Sequence, residues 1–383
     1  MDFGFSEEQE MLRQSARQFL ESECAMTYVR KMMDDDTGYS EEQWRKMAAL
    51  GWQGLILPEE HGGSGLNMVD LIVVLEETGR AVMPGPFFAT VILGGLAIDL
   101  GASAAQKKKY LPDIASGKLK ATLAQVEESG RWDAEGIQLA AKKDGAGYVL
   151  SGTKLFVHDA HNADLLIVPA RTGGKGITLF LVDAKQRGVK TTLLKTMDQT
   201  RKLCEVNFSN VKVAADAVLG AVDAGWALLD RLVDRAKVAM CGEMCGGAQK
   251  VLEMSVDYAK VREQFGKPIG SFQAIQHKCA NMMVQTESAK SATYYAAWAV
   301  ANNVPEAHLA ACMAKAYCSD AYRFVSAEGI QIHGGIGFTW EHDMHIYFKR
   351  AKGSEVTFGD ATWNRELVAQ VVLDQPEGAA ASA

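Results

Sequence analysis

No run of five or six like charges occurs in this sequence, although it carries 47 acidic and 40 basic side chains. A basic arm for nucleic acid and an acidic tail are thereby excluded. No apolar stretch approaches the ~18 residues that a membrane span needs. The start, MDFGFSEEQEMLRQ, is acidic and polar where a secretion signal would be basic and then apolar. These absences imply a cytoplasmic protein with no nucleic-acid and no membrane partner. The seven cysteines are scattered, and the closest spacings, Cys241 with Cys245 and Cys312 with Cys318, lack a second pair or histidines at zinc spacing. The expectation is free, buried thiols and no metal.

With 383 residues the chain can form two or three domains around a large apolar interior. Helical signals fill residues 1–118. SEEQ occurs at Ser6–Gln9 and again at Ser40–Gln43, and both have the Ser-x-x-Gln spacing of a reciprocal helix cap, followed by apolar residues at helical intervals. PEEHGGSG interrupts as a loop. Helices are expected again at 67–82, 88–100 and 105–116. From 119 to 222 the period changes: short β-branched and aromatic runs (YVLSG, DLLIVPA, ITLFLVD, EVNFSNVKV) are separated by turn residues, with no helix between them. That pattern predicts an antiparallel barrel or sandwich and excludes βαβ units. Long Ala- and Met-rich helices occupy 223–373 and suggest a four-helix bundle. The tail 374–383 has nothing to bury and is expected to be disordered. The fold class is thus α+β multidomain: an all-α N-terminal domain, an antiparallel β middle domain and a C-terminal four-helix bundle.

Glycines at 334, 335 and 337 in QIHGGIGF follow a helix and lack the dinucleotide-binding spacing, so a Rossmann unit is excluded. KVREQFGKPIGSFQAIQHK is more informative. It joins Arg262, a fork suited to phosphate, to Phe265 and Gly266, a flat ring beside a tight turn, and to Gln273, an amide able to read a base edge. His158 and His161 read as turn histidines with no third ligand.

VREQFGKPIGSFQAIQ and IQIHGGIGF, behind a β domain and an N-terminal helical domain, resemble the acyl-CoA dehydrogenase family. LPEEHGGSGLNMVDLIVVLEETGR, QKKKYLPDIASGK and SGTKLFVHDAHNADLLIV extend the resemblance over nearly the whole chain. It implies FAD as cofactor, α,β-dehydrogenation of an acyl-CoA thioester, an electron-transferring flavoprotein as acceptor, and tetramers in which neighbouring chains share each FAD. Arg262 would meet the pyrophosphate, Phe265 and Gln273 the adenine end, and Gln331 with the Gly334–Gly335 backbone would close the turn.

The flavin side departs from the family pattern. On LAQVEESGRWD (123–133) Glu127 and Asp133 match, but the flavin-bonding threonine is Val126, the proline is Glu128, and the serine near the CoA chain is Trp132. The tryptophan beside the flavin is Phe156, and the hydroxyl two residues on is His158. The catalytic glutamate falls on Phe358 in AKGSEVTFGDATWNRE, and its alternative address falls on Ala236; neither side chain can take a proton. Asp360, at the family's FAD-holding threonine, is the first candidate for a relocated base, ahead of Glu243 and Glu355, although Asp after Gly is also an ordinary turn or cap residue. Asp234 and Lys237 match a pair that contacts CoA, with lysine in place of arginine. The resemblance therefore implies the non-catalytic member of a hetero-oligomer, of the kind that acts on bulky substrates such as steroid side chains. The alternatives are a self-sufficient flavoenzyme with a relocated base, and a scaffold or CoA-binding protein without redox chemistry.

Overall fold

The computed structural model describes residues 5–174 and 176–373. The tail expected at 374–383 lies outside the described residues. Helices come first: Glu7–Glu23 (α1), Met26–Asp34 (α2), Glu41–Ala49 (α3), Met68–Arg80 (α4), a π-helix Phe88–Gly95, Leu96–Gly101 (α5) and Ala104–Ala115 (α6). Eight strands follow: Ala121–Leu123 (β1), Ala140–Asp144 (β2), Gly147–His158 (β3), Leu165–Gly173 (β4), Gly176–Asp183 (β5), Val189–Leu193 (β6), Leu203–Val213 (β7) and Val218–Leu219 (β8). Gly225–Val261 (α7), a small hairpin of Glu263–Gln264 (β9) and Lys267–Pro268 (β10), Gln273–Ala301 (α8), Ala307–His333 (α9), Met344–Val356 (α10) and Ala361–Leu373 (α11) complete the chain.

Two compact units result. One holds the described residues of Met1–Met26, Met68–Met83 and Lys237–Ala383; the other holds Thr27–Asn67 and Pro84–Ala236. Among the described residues no helix is long and apolar enough to cross a membrane.

In the first unit α1 starts with the expected reciprocal cap: Ser6 Oγ accepts from Gln9 N–H and Gln9 Oε1 accepts from Ser6 N–H. It is tied to α4 by Gln9 to Asp70 (2.8 Å) and by the Arg17 fork on Glu77 (2.8 and 2.9 Å). Helix α4 is buried from Asp70 to Gly79, so it reads as apolar on most sides. Its backbone touches that of α7. A Cβ on Gly79 would stand 2.0 Å from Glu243 O, and one on Gly246 would stand 1.8 Å from Glu76 O. Gly246→Ala is therefore expected to cost about 3 kcal/mol or more in urea unfolding, because two backbones would have to separate. In place of a fourth long helix the bundle has α10 and α11, both packed on α9.

In the second unit the strands run in the order β6-β7-β3-β2-β4-β5-β8, antiparallel except where β1 and a residue of β2 pair in parallel with β4. Val168, Phe180, Val206 and Phe208 are among the residues that fill its core. The second SEEQ departs from expectation. Ser40 caps α3, but Gln43 turns inward, where its Oε1 accepts from Tyr28 OH, and the same hydroxyl meets Ser40 N–H. A second reciprocal cap, Ser103 with Gln106, starts α6 at a position where the sequence reading expected none. The expected helix at 88–100 begins as a π-helix.

Candidate functional site

Helix α7 ends at Val261, and the chain turns through a two-residue hairpin whose tip is Phe265–Gly266. Both tip residues have positive φ (56° and 76°), as a type I′ turn requires, and Phe there is strained. Its ring is 92% exposed and stands edge-on to Phe272, with centroids 6.0 Å apart. Arg262 at the hairpin base and Gln273 at the first turn of α8 are exposed as well. Helix α9 ends on exposed Gln331 and on Gly334, whose φ 64° and ψ −143° suit glycine alone. Nothing lies within 4 Å of a Cβ added to Gly334 or Gly335. An open cradle of backbone thus occurs in the same unit as an exposed ring and an exposed guanidinium. Buried His333, stacked on Tyr258 at 4.4 Å and bonded to Gly329 O at 2.7 Å, backs this turn.

Between α10 and α11, Phe358 and Gly359 are consecutive left-handed residues, φ 60° and 84°. Phe358 is 3% exposed. Two buried side chains hold the turn. Lys315 Nζ donates to Glu355 O, Gly359 O and Ser319 Oγ, each at 2.9 Å. Asn364 Nδ2 donates to the carbonyls of Phe358, Gly359 and Asp360. Burial pushes the Lys315 ammonium down to about 8. The frame around position 358 is therefore fixed whatever its side chain. Asp360 is exposed, and its Oδ1 accepts Trp363 N–H at 2.8 Å, which makes it the N-cap of α11. Glu355 pairs with Lys352 and Arg323, and Glu243 lies 3.9 Å from Arg350. None of the three stands as an isolated carboxylate in a dry pocket. Lys237 is 2% exposed and donates to Cys312 Sγ, and Asp234 is 6% exposed. Ala236 is fully buried.

In the second unit the segment after β1 is held by Glu127. Its carboxylate accepts from Gln138 N–H, Leu139 N–H and, at 2.6 Å, the fully buried Lys154 ammonium. Lys154 also donates to Gln125 O, and burial lowers it to about 8. Asp133 caps a short turn and pairs with Arg131. Phe156 sits at a bulge of β3 against β7 with φ 53°, so its ring is thrown outward and is 52% exposed. His158 is buried, 6.1 Å from Phe88 ring to ring. His161 contacts Thr37 O and Cys204 Sγ, and burial lowers its affinity for a proton.

Within the first unit, the glycine cradle and the exposed ring suit the adenosine diphosphate part of a dinucleotide-type cofactor; within the second, Phe156 presents a flat ring outward from the sheet. Helices, a β-sheet and a helical bundle in this order are the domain layout of a flavin-dependent dehydrogenase family. Residues 6–118, 122–211 and 223–373 match the N-terminal, middle and C-terminal domain profiles of acyl-CoA dehydrogenase, so the chain belongs to the acyl-CoA dehydrogenase family. The chain is 32% identical over 355 residues to acyl-CoA dehydrogenase IpdE2 of Mycolicibacterium smegmatis, covering 92% of this chain and 95% of that one. Butyryl-CoA dehydrogenase of Megasphaera elsdenii superposes with TM-score 0.91 at 29% identity, over 97% and 100% of the two chains. A chain of the ChsE4-ChsE5 complex of Mycobacterium tuberculosis does so with TM-score 0.91 at 27% identity, over 98% and 100%. Members of this family are FAD-binding flavoproteins.

The exposed ring, the glycine cradle and Phe358 were legible in the sequence. Lys315, Asn364 and Lys154 were not singled out. The signal for Lys315 was a lone lysine in AACMAKAYCSD, where apolar residues surround it at helical spacing.

Proposed function

We propose that this chain is the non-catalytic subunit of a hetero-oligomeric, FAD-dependent acyl-CoA dehydrogenase in the cytoplasm. It presents Arg262, Phe265, Gln273, Gln331 and the Gly334–Gly335 backbone to the ADP part of an FAD whose flavin ring and base lie in a homologous chain. FAD, when bound, supplies the hydride acceptor. Electrons then pass to an electron-transferring flavoprotein, and the assembly is a tetramer of two kinds of chain. The observation that carries the reading is Phe358, buried and held in a rigid left-handed turn where the family needs a carboxylate. Asp360, committed to capping α11, gives little support to a relocated base. The likeness to a chain of a two-protein complex favours the mixed assembly.

The test is purification of the chain alone and together with a homologue that has the glutamate. Alone, it is expected to hold no stoichiometric FAD and to leave acyl-CoA unoxidised. The pair should be yellow and active, with one FAD for each pair of unlike chains. A lone tetramer with one FAD per chain and full turnover would overturn the proposal.

A further inference from the structure

The two elements assigned to the ADP part of the cofactor sit on different helices of the first unit: the hairpin after α7 and the glycine turn after α9. A stack of rings joins them. His333, the last residue of α9 and 5% exposed, meets Tyr258 of α7 with ring centroids 4.4 Å apart and planes at 24°. Tyr258 O accepts Arg262 N–H at 2.8 Å, so the ring that meets the imidazole belongs to the turn of helix that launches the hairpin. A third ring, His342 from the segment before α10, stands 4.6 Å from that of His333. Space around the stack is tight. A Cβ added to Gly329 would stand 2.6 Å from Val251 Cγ1 and 2.8 Å from Met344 Sδ, so α7, α9 and the start of α10 meet here.

Hydrogen bonds fix the proton on each imidazole. His333 Nδ1 lies 2.7 Å from Gly329 O, and a carbonyl only accepts, so Nδ1 carries the proton. His342 Nδ1 accepts Met344 N–H at 3.1 Å, which leaves its proton on Nε2. Both rings are therefore neutral, in opposite tautomers. A further proton has no favourable place: on His342 it would cost the bond from Met344 N–H, and on His333 it would put a charge inside a buried stack. The groups facing His333 are Tyr258 from α7, His342 from the segment before α10 and the Gly329 carbonyl of its own helix, while Glu341 and Asp343 flank His342 in the chain. The first three include no carboxylate to hold an imidazolium. Burial lowers His333 below its ordinary 6.5, the Gly329 bond opposes this, and His342 adds to the fall. The unfolded chain thus binds this proton more readily than the folded one, and stability from the neutral stack is lost as pH drops below that ordinary value.

We propose that Tyr258, His333 and His342 are positioning residues that set the glycine turn against the Arg262 hairpin, and that they do so only while both imidazoles are neutral, so that mild acid releases the ADP part of the cofactor from this chain. The inference rests on the shared-FAD reading above and adds to it a regulator, the proton.

FAD loss on dilution of the paired enzyme, followed by flavin fluorescence at pH 7.5 and at pH 5.5, tests it. Retention is expected to fall severalfold at the lower pH, up to about tenfold, the limit for one proton over the unit of pH below its ordinary range. His333→Phe keeps a ring on Tyr258 but takes up no proton, so its retention should differ less than about twofold between the two pH values. His333→Asn keeps a donor for Gly329 O but no ring, and should hold FAD more weakly at both. The isolated chain supplies a readout without cofactor: its melting temperature should drop between pH 7.5 and pH 5.5 by more than that of His333→Phe. Equal retention by the unaltered pair at the two pH values overturns the inference, as does an acid loss in His333→Phe as large as that of the unaltered enzyme. Unchanged retention in His333→Asn overturns the positioning role. A pair that holds no FAD at either pH overturns the shared-cofactor reading and the release drawn from it, and is recognised by a melting difference between the two isolated chains that survives.

Discussion

Phe265→Gly is expected to raise the melting temperature of the chain and, in the assembled enzyme, to weaken FAD retention about tenfold. The two effects have separate origins. At φ 56° a phenylalanine is strained, and glycine occupies the first position of a type I′ turn without that penalty. Relief of about 1 kcal/mol is expected to outweigh the single edge-on contact with Phe272 that the ring, 92% exposed, gives up. Apart from its edge-on contact with Phe272, this strained, water-exposed ring contributes little to the fold of the isolated chain. Its retention makes sense if it meets something flat and apolar in the assembly, and tenfold corresponds to about 1.4 kcal/mol, the size of one aromatic contact. Adding Arg262→Ala removes a charge-assisted bond to phosphate and should take the loss to a hundredfold or more. Thermal unfolding of the chain and FAD loss on dilution of the paired enzyme read the two effects apart. Unchanged FAD retention in the double variant would remove the hairpin from the cofactor site.

The same hairpin shows what kind of feature a sequence discloses. A ring beside glycine between two short polar segments reads as a turn that displays the ring, because turn chemistry is local. The alternation of helical and strand periods was legible for the same reason. Features that depend on which distant segment packs against which were hidden. The second SEEQ has the spacing of a reciprocal cap, yet Tyr28 from the preceding helix donates its hydroxyl to Gln43 Oε1 in the interior. FATVILGGLAIDL is apolar on every side, so its period cannot separate a π-helix from an α-helix. The two compact units draw on segments far apart in the chain, and local periodicity carries no information about that pairing. Asp360 was legible as an acid, but only the position of Trp363 N–H shows that its carboxylate caps α11.

Glu127→Gln should be among the most damaging single substitutions in the second unit, costing about 3–5 kcal/mol, because it leaves the ammonium of a wholly buried lysine without its counter-charge. The carboxylate meets Lys154 Nζ and two backbone N–H groups, all of them donors, and a glutamine amide would turn its own donor toward one of them. The loss should depend on pH in a defined sense. Lys154 is lowered in the folded state to about 8 from its ordinary 10.5, so over that window the unfolded chain binds the proton and the folded chain does not. Stability contributed by this group therefore rises with pH between those values. Removing Glu127 takes away the partner that keeps the ammonium charged, so the folded-state value falls further and the window opens downward. Part of the Glu127→Gln loss should then be recovered between pH 7 and pH 9, as measured by urea unfolding. Lys154→Met in the same background should recover more, since the buried charge is gone and a side chain of similar length fills the space. A loss under 1 kcal/mol, or one that does not respond to pH, would mean that Lys154 does not depend on Glu127. The segment carrying Val126 and Trp132 would then have to owe its position to the remaining backbone bonds alone.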